Sequence, residues 1–223
     1  MALRLPRILR ITLVALAILT LAATSAIAAT SKTSDVLRLD DFPSGWRAGK
    51  GTPPGVGNKT PACKALREET GKTVSSARTK TFTDSDPRAS DFDVIVASVA
   101  RYPSARVARD EVAAFVGRHR LQCLIDGTNR GFESDNKDSK ATTTVHELVL
   151  PNTATRVRAV EAISHVSGFD TFELRQQIIF IRNGERVVTL HVNSDEDANY
   201  SEIRDHLVAR IEQRLADGAA VRT

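Results

Sequence analysis

The chain has 223 residues, 31 of them basic and 27 acidic, and only 5% are aromatic. Arg4, Arg7 and Arg10 fall in the first 28 positions, which hold no acid, so the other 195 residues carry 28 basic against 27 acidic side chains, a net charge of +1. Such near-neutrality excludes a general electrostatic affinity for nucleic acid, and a domain of this size poor in aromatics must build its core mostly from Val, Ile, Leu and Ala.

The start reads as an address. A basic segment precedes the apolar run Ile11 to Ala23, and Ala26-Ile27-Ala28 has the small-x-small form of a cleavage site, so residues 1–28 are expected to be a secretory signal peptide cut between Ala28 and Ala29. The run is shorter than the roughly 20 residues of a membrane-spanning helix. No cysteine stands near the cut to take a lipid anchor. The expected product is an exported, released protein with no stable membrane anchor. Residues 29–35 form a flexible lead-in, and residues 36–218 a single domain.

Pro43-Ser44-Gly45 is turn chemistry before Trp46, the only tryptophan, which is expected to anchor packing. Gly49 to Lys59 reads as loop, and Pro61 to Glu69 as a short helix carrying Cys63 and Leu66. Cys63 and Cys123 are the only cysteines, and in an oxidising compartment an isolated pair bridges. Thr73 to Thr83 reads as one strand. Asp91 to Arg101 is a second, apolar on both sides, hence central and covered on both faces. Asp84 to Ser90 connects the two.

Ser104 caps a helix whose apolar positions Ala105, Ala108, Val112, Phe115, Val116 and Leu121 recur at near-helical spacing. Cys123 follows that helix, so the bridge is expected to pin its C-terminal end. Asp126 to Lys140, polar and holding two glycines, reads as a long exposed loop. Four strands follow: Thr142–Leu150, Arg156–Val166, Thr171–Arg182 and Arg186–Val192. A final helix spans Ser201 to Ala216, with Ile203, Leu207, Ile211 and Leu215 at intervals of four. The order implies an α+β fold, an α/β sandwich with a mainly antiparallel sheet of about six strands, flanking helices and one disulfide.

Arg182-Asn183-Gly184 bears on the register of the last hairpin. A strict Asn-Gly turn pairs Arg182 with Glu185 and mixes apolar with polar residues on one face. A three-residue loop pairs Ile181 with Glu185 and groups Phe172, Leu174, Ile178 and Phe180 with Val188, Leu190 and Val192, which is the preferred arrangement. The opposite face then carries Glu173, Arg175, Gln177, Thr189 and His191, with Arg175 across from His191 and Gln177 across from Thr189. This polar face is the candidate site, extended by Glu161 and His165 on the preceding strand. An arginine among amide and hydroxyl donors suits a small polar or anionic ligand such as a carboxylate or phosphate. The alternative is the wet side of a half-exposed sheet.

Catalysis finds little support. His119, His146, His165, His191 and His206 show no H-x-H, H-x-x-H or H-E-x-x-H spacing, and no G-x-S-x-G surrounds a serine. No metal, cofactor or catalytic residue is assigned.

Leu39-Asp40-Asp41-Phe42-Pro43-Ser44-Gly45-Trp46, then Cys63, then Val99-Ala100-Arg101-Tyr102-Pro103-Ser104-Ala105 leading through a helix to Cys123 resembles actinobacterial secreted sensor-like domains. These include the extracellular domain of PknH-type kinases and secreted lipoproteins of PsbP-like shape. The resemblance implies an antiparallel sheet flanked by helices, a cleft and a ligand-binding or sensing role. It also implies two disulfides where this chain can form one, the helix-anchoring bridge. The chain carries no kinase, so it does not signal in the same way. The expected function is a secreted, non-enzymatic binding or sensor-like domain of the envelope or extracellular space. An envelope protein-interaction module is the alternative, and a hydrolase of unrecognised type the third.

Overall fold

A computed structural model describes residues 32–33, 36–49, 63, 73–85, 93–135, 138–151, 156–168, 171–195 and 200–217. The expected signal peptide and cleavage site, the expected Gly49–Lys59 loop beyond Gly49, the expected helix over 61–69 apart from Cys63, and most of the expected 84–90 connection lie outside the described residues.

Among the described residues, nine strands form one sheet: β1 (Lys32–Thr33), β2 (Trp46–Gly49), β3 (Ser75–Arg78), β4 (Thr81–Asp84), β5 (Val94–Arg101), β6 (Lys140–Glu147), β7 (Val157–Ser167), β8 (Phe172–Asn183) and β9 (Arg186–Asp195). The order is β1-β3-β5-β9-β8-β7-β6, with β4 also beside β5 and β2 beside β4. Every pairing is antiparallel except β1 with β3. The expected α+β class and antiparallel sheet are therefore present, with more strands than the six expected. Two of the extra strands come from the lead-in and from Trp46–Gly49. Another arises because 73–83 is broken at Thr79, whose hydroxyl accepts from the Ala97 N–H at 3.0 Å and fills the gap beside β5.

Three helices whose ranges are described cover the sheet: α1 (Ala105–Phe115), α2 (Arg118–Asp135) and α3 (Ser201–Ala216). On one face α3 and the segment from Val36 to Trp46 pack on Ile95, Ala97, Val99, Ile179, Ile181, Val188, Leu190 and Val192. On the other, α1 and α2 pack on Val160, Ala162, Ile178, Phe180 and Val187, and the Cys63–Cys123 disulfide lies among them. We call these the α3 face and the α1/α2 face.

α3 matches the expected helix, and Leu207, Ile211 and Leu215 are buried along its stripe. Ser104 caps α1 as expected, its hydroxyl accepting from the Val107 N–H at 3.2 Å. The helix stops sooner than expected, at Phe115, where the Gly117 N–H bonds the Ala114 carbonyl and a Cβ on Gly117 would sit 2.9 Å from that oxygen.

The segment read as a long exposed loop is a correction: Asp126 to Asp135 is the second half of α2. Its buried side is Arg120, Cys123, Leu124, Gly127, Thr128, Gly131 and Phe132, a helical stripe made largely of small and polar residues. Cys123 therefore sits inside a helix, so the bridge anchors the first half of α2 rather than the end of α1.

The β8–β9 register is the second correction. Asn183 pairs with Arg186, Ile181 with Val188 and Ile179 with Leu190, around a turn made by Gly184 and Glu185. Gly184 takes the first turn position at φ +60°, the left-handed backbone that favours glycine. Asn183 stays in the strand, where its side-chain amide donates to the Leu215 carbonyl at 2.7 Å and so satisfies an end carbonyl of α3. The expectation of one apolar and one wet face fails because both faces are covered here, and nearly all of β9 is buried.

Candidate functional site

The register decides which polar residues meet. Cross-strand partners share a face, and Arg175 lies opposite Ser194 and Gln177 opposite Val192, while His191 lies opposite Ile178 and Thr189 opposite Phe180. The five residues expected on one face are thus divided. Glu173, Arg175 and Gln177 belong to the α3 face. Thr189 and His191 are buried on the α1/α2 face.

The α3 face is only partly covered. The first turn of α3 stops at Gln177, whose carbonyl oxygen accepts from Arg204 Nη1 at 3.2 Å. Beyond that contact, β6, β7 and β8 form a polar floor of Thr142, Thr144, His146, Glu161, Ile163, His165, Glu173 and Arg175, with the two threonines exposed. Glu161 and His165, expected beside Glu173, Arg175 and Gln177, do lie on this face.

Two carboxylates organise the floor. Glu161 is buried; its Oε1 accepts from Gln177 Nε2 at 2.7 Å and its Oε2 lies 3.0 Å from His146 Nε2. Glu173 accepts from Arg175 Nε at 2.8 Å on one oxygen, and its other oxygen lies 3.3 Å from His165 Nδ1. Glu173 therefore fixes the near edge of the Arg175 guanidinium. Nη1 and Nη2 have no partner among the described residues, and the side chain is 44% exposed. A guanidinium held on one edge and open on the other presents two parallel donors to a carboxylate or phosphate.

His146 was not among the site residues read from the sequence. Only its alternation with Thr142 and Thr144 on β6 places it on this face. Glu111 and Arg120, 3.5 Å apart, also went unnoticed. They are buried between α1 and α2, with the Arg120 guanidinium 3.0 Å above the Phe115 ring. Burial lowers Arg120 to about 9, against the opposing effects of Glu111 and Tyr102. Among the described residues, no group of three His, Cys, Asp or Glu is placed to hold a metal ion.

No family model matches the sequence, and no curated protein matches it. Among solved structures, the fold is similar to the extracellular domain of PknH from Mycobacterium tuberculosis, at 14% identity and a TM-score of 0.31, over 61% of this chain and 66% of that one. It is also similar to cyanobacterial PsbP from Synechocystis sp. PCC 6803, at 13% identity and a TM-score of 0.36, over 89% of this chain and 96% of that one. An uncharacterized protein from Mycobacterium smegmatis matches at 10% identity and a TM-score of 0.32, over 77% of this chain and 92% of that one. These are weak likenesses of fold, in the group that the sequence resembles, and no function is carried over from them.

Proposed function

We propose that this is an exported, non-enzymatic binding domain that takes a small ligand bearing a carboxylate or phosphate on the open part of its α3 face. The observation that carries the reading is the Arg175 guanidinium, fixed at Nε by Glu173 and, among the described residues, open at both Nη atoms. Its surroundings supply further hydrogen-bonding groups, the hydroxyls of Thr142 and Thr144 and the imidazoles of His146 and His165. Export is supported by the disulfide, which persists in oxidising compartments, together with the leader read from the sequence. Among the described residues no helix is long and apolar enough to cross a membrane. Among the described residues the large exposed apolar side chains are Leu39, Val74 and Val149, in three separate segments, which favours a small ligand over docking through a continuous apolar patch.

The test is calorimetric titration of the disulfide-bonded protein with inorganic phosphate, acetate and citrate. The wild type is expected to bind at least one of them. Arg175→Ala should abolish binding, and Arg175→Lys should weaken it about tenfold or more because an ammonium lacks the planar fork. Both variants should melt within a few degrees of the wild type, since the side chain is exposed. Equal binding by wild type and Arg175→Ala, or no binding of any of the three anions by the wild type, would contradict the reading.

A further inference from the structure

The two carboxylates of the polar floor are not balanced alike. Glu173 is met by the Arg175 guanidinium. Glu161 is buried, and its partners among the described residues are the Gln177 amide at 2.7 Å and the His146 imidazole at 3.0 Å. Arg204 stands behind Gln177, bonded to its side-chain carbonyl and paired with Asp205. Lys140 shares β6 with His146 but lies about 20 Å along the strand, too far to balance Glu161. A ring nitrogen that faces a carboxylate must carry the proton. In a neutral His146 the proton is therefore on Nε2, which leaves Nδ1 an acceptor with no partner among the described residues. Register sets the spacing. Arg175 of β8 pairs with Ile163 of β7, and Ile163 pairs with Thr144 of β6; Gln177, Glu161 and His146 form the next row. The open guanidinium and the half-exposed His146 are thus on strands two spacings apart, about 10 Å. The partly exposed, apolar Ile163 lies between them.

We propose that the ligand of this face is a zwitterion whose carboxylate and ammonium are held apart by a short apolar spacer, the carboxylate on Arg175 and the ammonium on His146 beside Glu161. This rests on the anion reading and adds the ligand's other end. An ammonium carries donors only, which match His146 Nδ1 and the exposed Thr144 hydroxyl on the same face of β6. Its charge offsets that of Glu161, whereas a simple anion leaves the buried carboxylate without a cation. The spacer lies over Ile163, which gives an aliphatic chain apolar contact and offers nothing to a phosphate. An α-amino acid does not fit, because its ammonium is attached next to its carboxylate and cannot reach across β7. An ω-amino acid or a short peptide with free ends does fit.

The test is calorimetric titration of the disulfide-bonded protein with 6-aminohexanoate, hexanoate and norleucine, which share one chain length and differ in the presence and place of the amine. The wild type should bind 6-aminohexanoate about tenfold or more tighter than either of the others. Arg175→Ala should abolish binding of all three. Glu161→Gln removes the charge and keeps an acceptor, and should bring 6-aminohexanoate down to the affinity of hexanoate. His146→Lys, at a half-exposed position, sets a fixed cation beside Glu161 and should do the same, which covers a Glu161→Gln that fails to fold. Hexanoate as tight as 6-aminohexanoate, with both lost in Arg175→Ala, overturns the ammonium end and leaves the anion site standing. Norleucine as tight as 6-aminohexanoate overturns the spacing. A preference for 6-aminohexanoate that persists in His146→Lys overturns the role of Glu161 and His146. No binding of any of the three, or equal binding by wild type and Arg175→Ala, removes the anion site and the zwitterion with it.

Discussion

Removing the Cys63–Cys123 bridge should cost about 4 kcal/mol of stability, because it closes a long loop and the chain-entropy penalty on the unfolded state grows with loop length. The two cysteines are 60 residues apart and almost completely buried in the cluster formed by Tyr102, Val112, Phe115 and Leu124. The bridge ties the first half of α2 to the helical residue Cys63, so its loss frees the part of the layer that covers Val160, Phe180 and Val187. Urea unfolding of the oxidised protein and of the Cys63→Ala/Cys123→Ala variant should show this difference. An unchanged midpoint would contradict it. Oxidised protein unfolded without reductant should titrate no thiol, and two free thiols would remove the premise.

Arg214→Ala should be nearly as damaging, at about 3 kcal/mol, because it strips a buried carboxylate of its two-pronged partner and leaves only the half-exposed Arg210 near it. Arg214 donates to both oxygens of Asp41, at 2.6 and 2.8 Å, and to the Val36 carbonyl at 2.7 Å. Asp41 also accepts from the Arg38 N–H and lies 3.5 Å from Arg210 Nε. Burial acts to raise its pKa, but the bonds to Arg214 and Arg38 and the charges of Arg214 and Arg210 outweigh it and hold the carboxylate below its ordinary value. The pair fastens the segment from Val36 to Trp46 onto the last turns of α3. Replacing both residues, as Asp41→Asn with Arg214→Met, should restore part of the loss, since no charge is then stranded. Denaturant titration followed by Trp46 measures both; a double variant worse than Arg214→Ala would contradict the account. A lowered carboxylate contributes stability that is present above 3.8 and lost only as pH falls through that range.

How far the sequence could be read depended on what each element hides. α3 was legible because Leu207, Ile211 and Leu215, buried along one stripe, are strongly apolar and spaced by four. β7, β8 and β9 were legible from their length and from the glycines at 168 and 184, both at positive φ. The disulfide followed from the expected oxidising compartment and from the number of cysteines. α2 was missed because the face it buries is built from Gly127, Thr128 and Gly131, whose pattern resembles a polar loop. The register was missed for the opposite reason: with Ile178 and Phe180 on one face and Ile179 and Ile181 on the other, apolar content does not say which parity faces which layer. That ambiguity placed Thr189 and His191 beside Arg175. Glu161, His165, Glu173, Arg175 and Gln177 were grouped correctly because their common face follows from alternation along β7 and β8 and does not depend on the turn.

The division of the polar residues between the two faces underlies the proposed anion site. Its most direct measurement is histidine labelling with diethyl pyrocarbonate at neutral pH, read by peptide mass spectrometry. His146 and His165, 49% and 64% exposed, should be carbethoxylated, while His191 stays unmodified in the folded protein. Labelling of His191 as fast as His165 would place it on the open face and contradict the account.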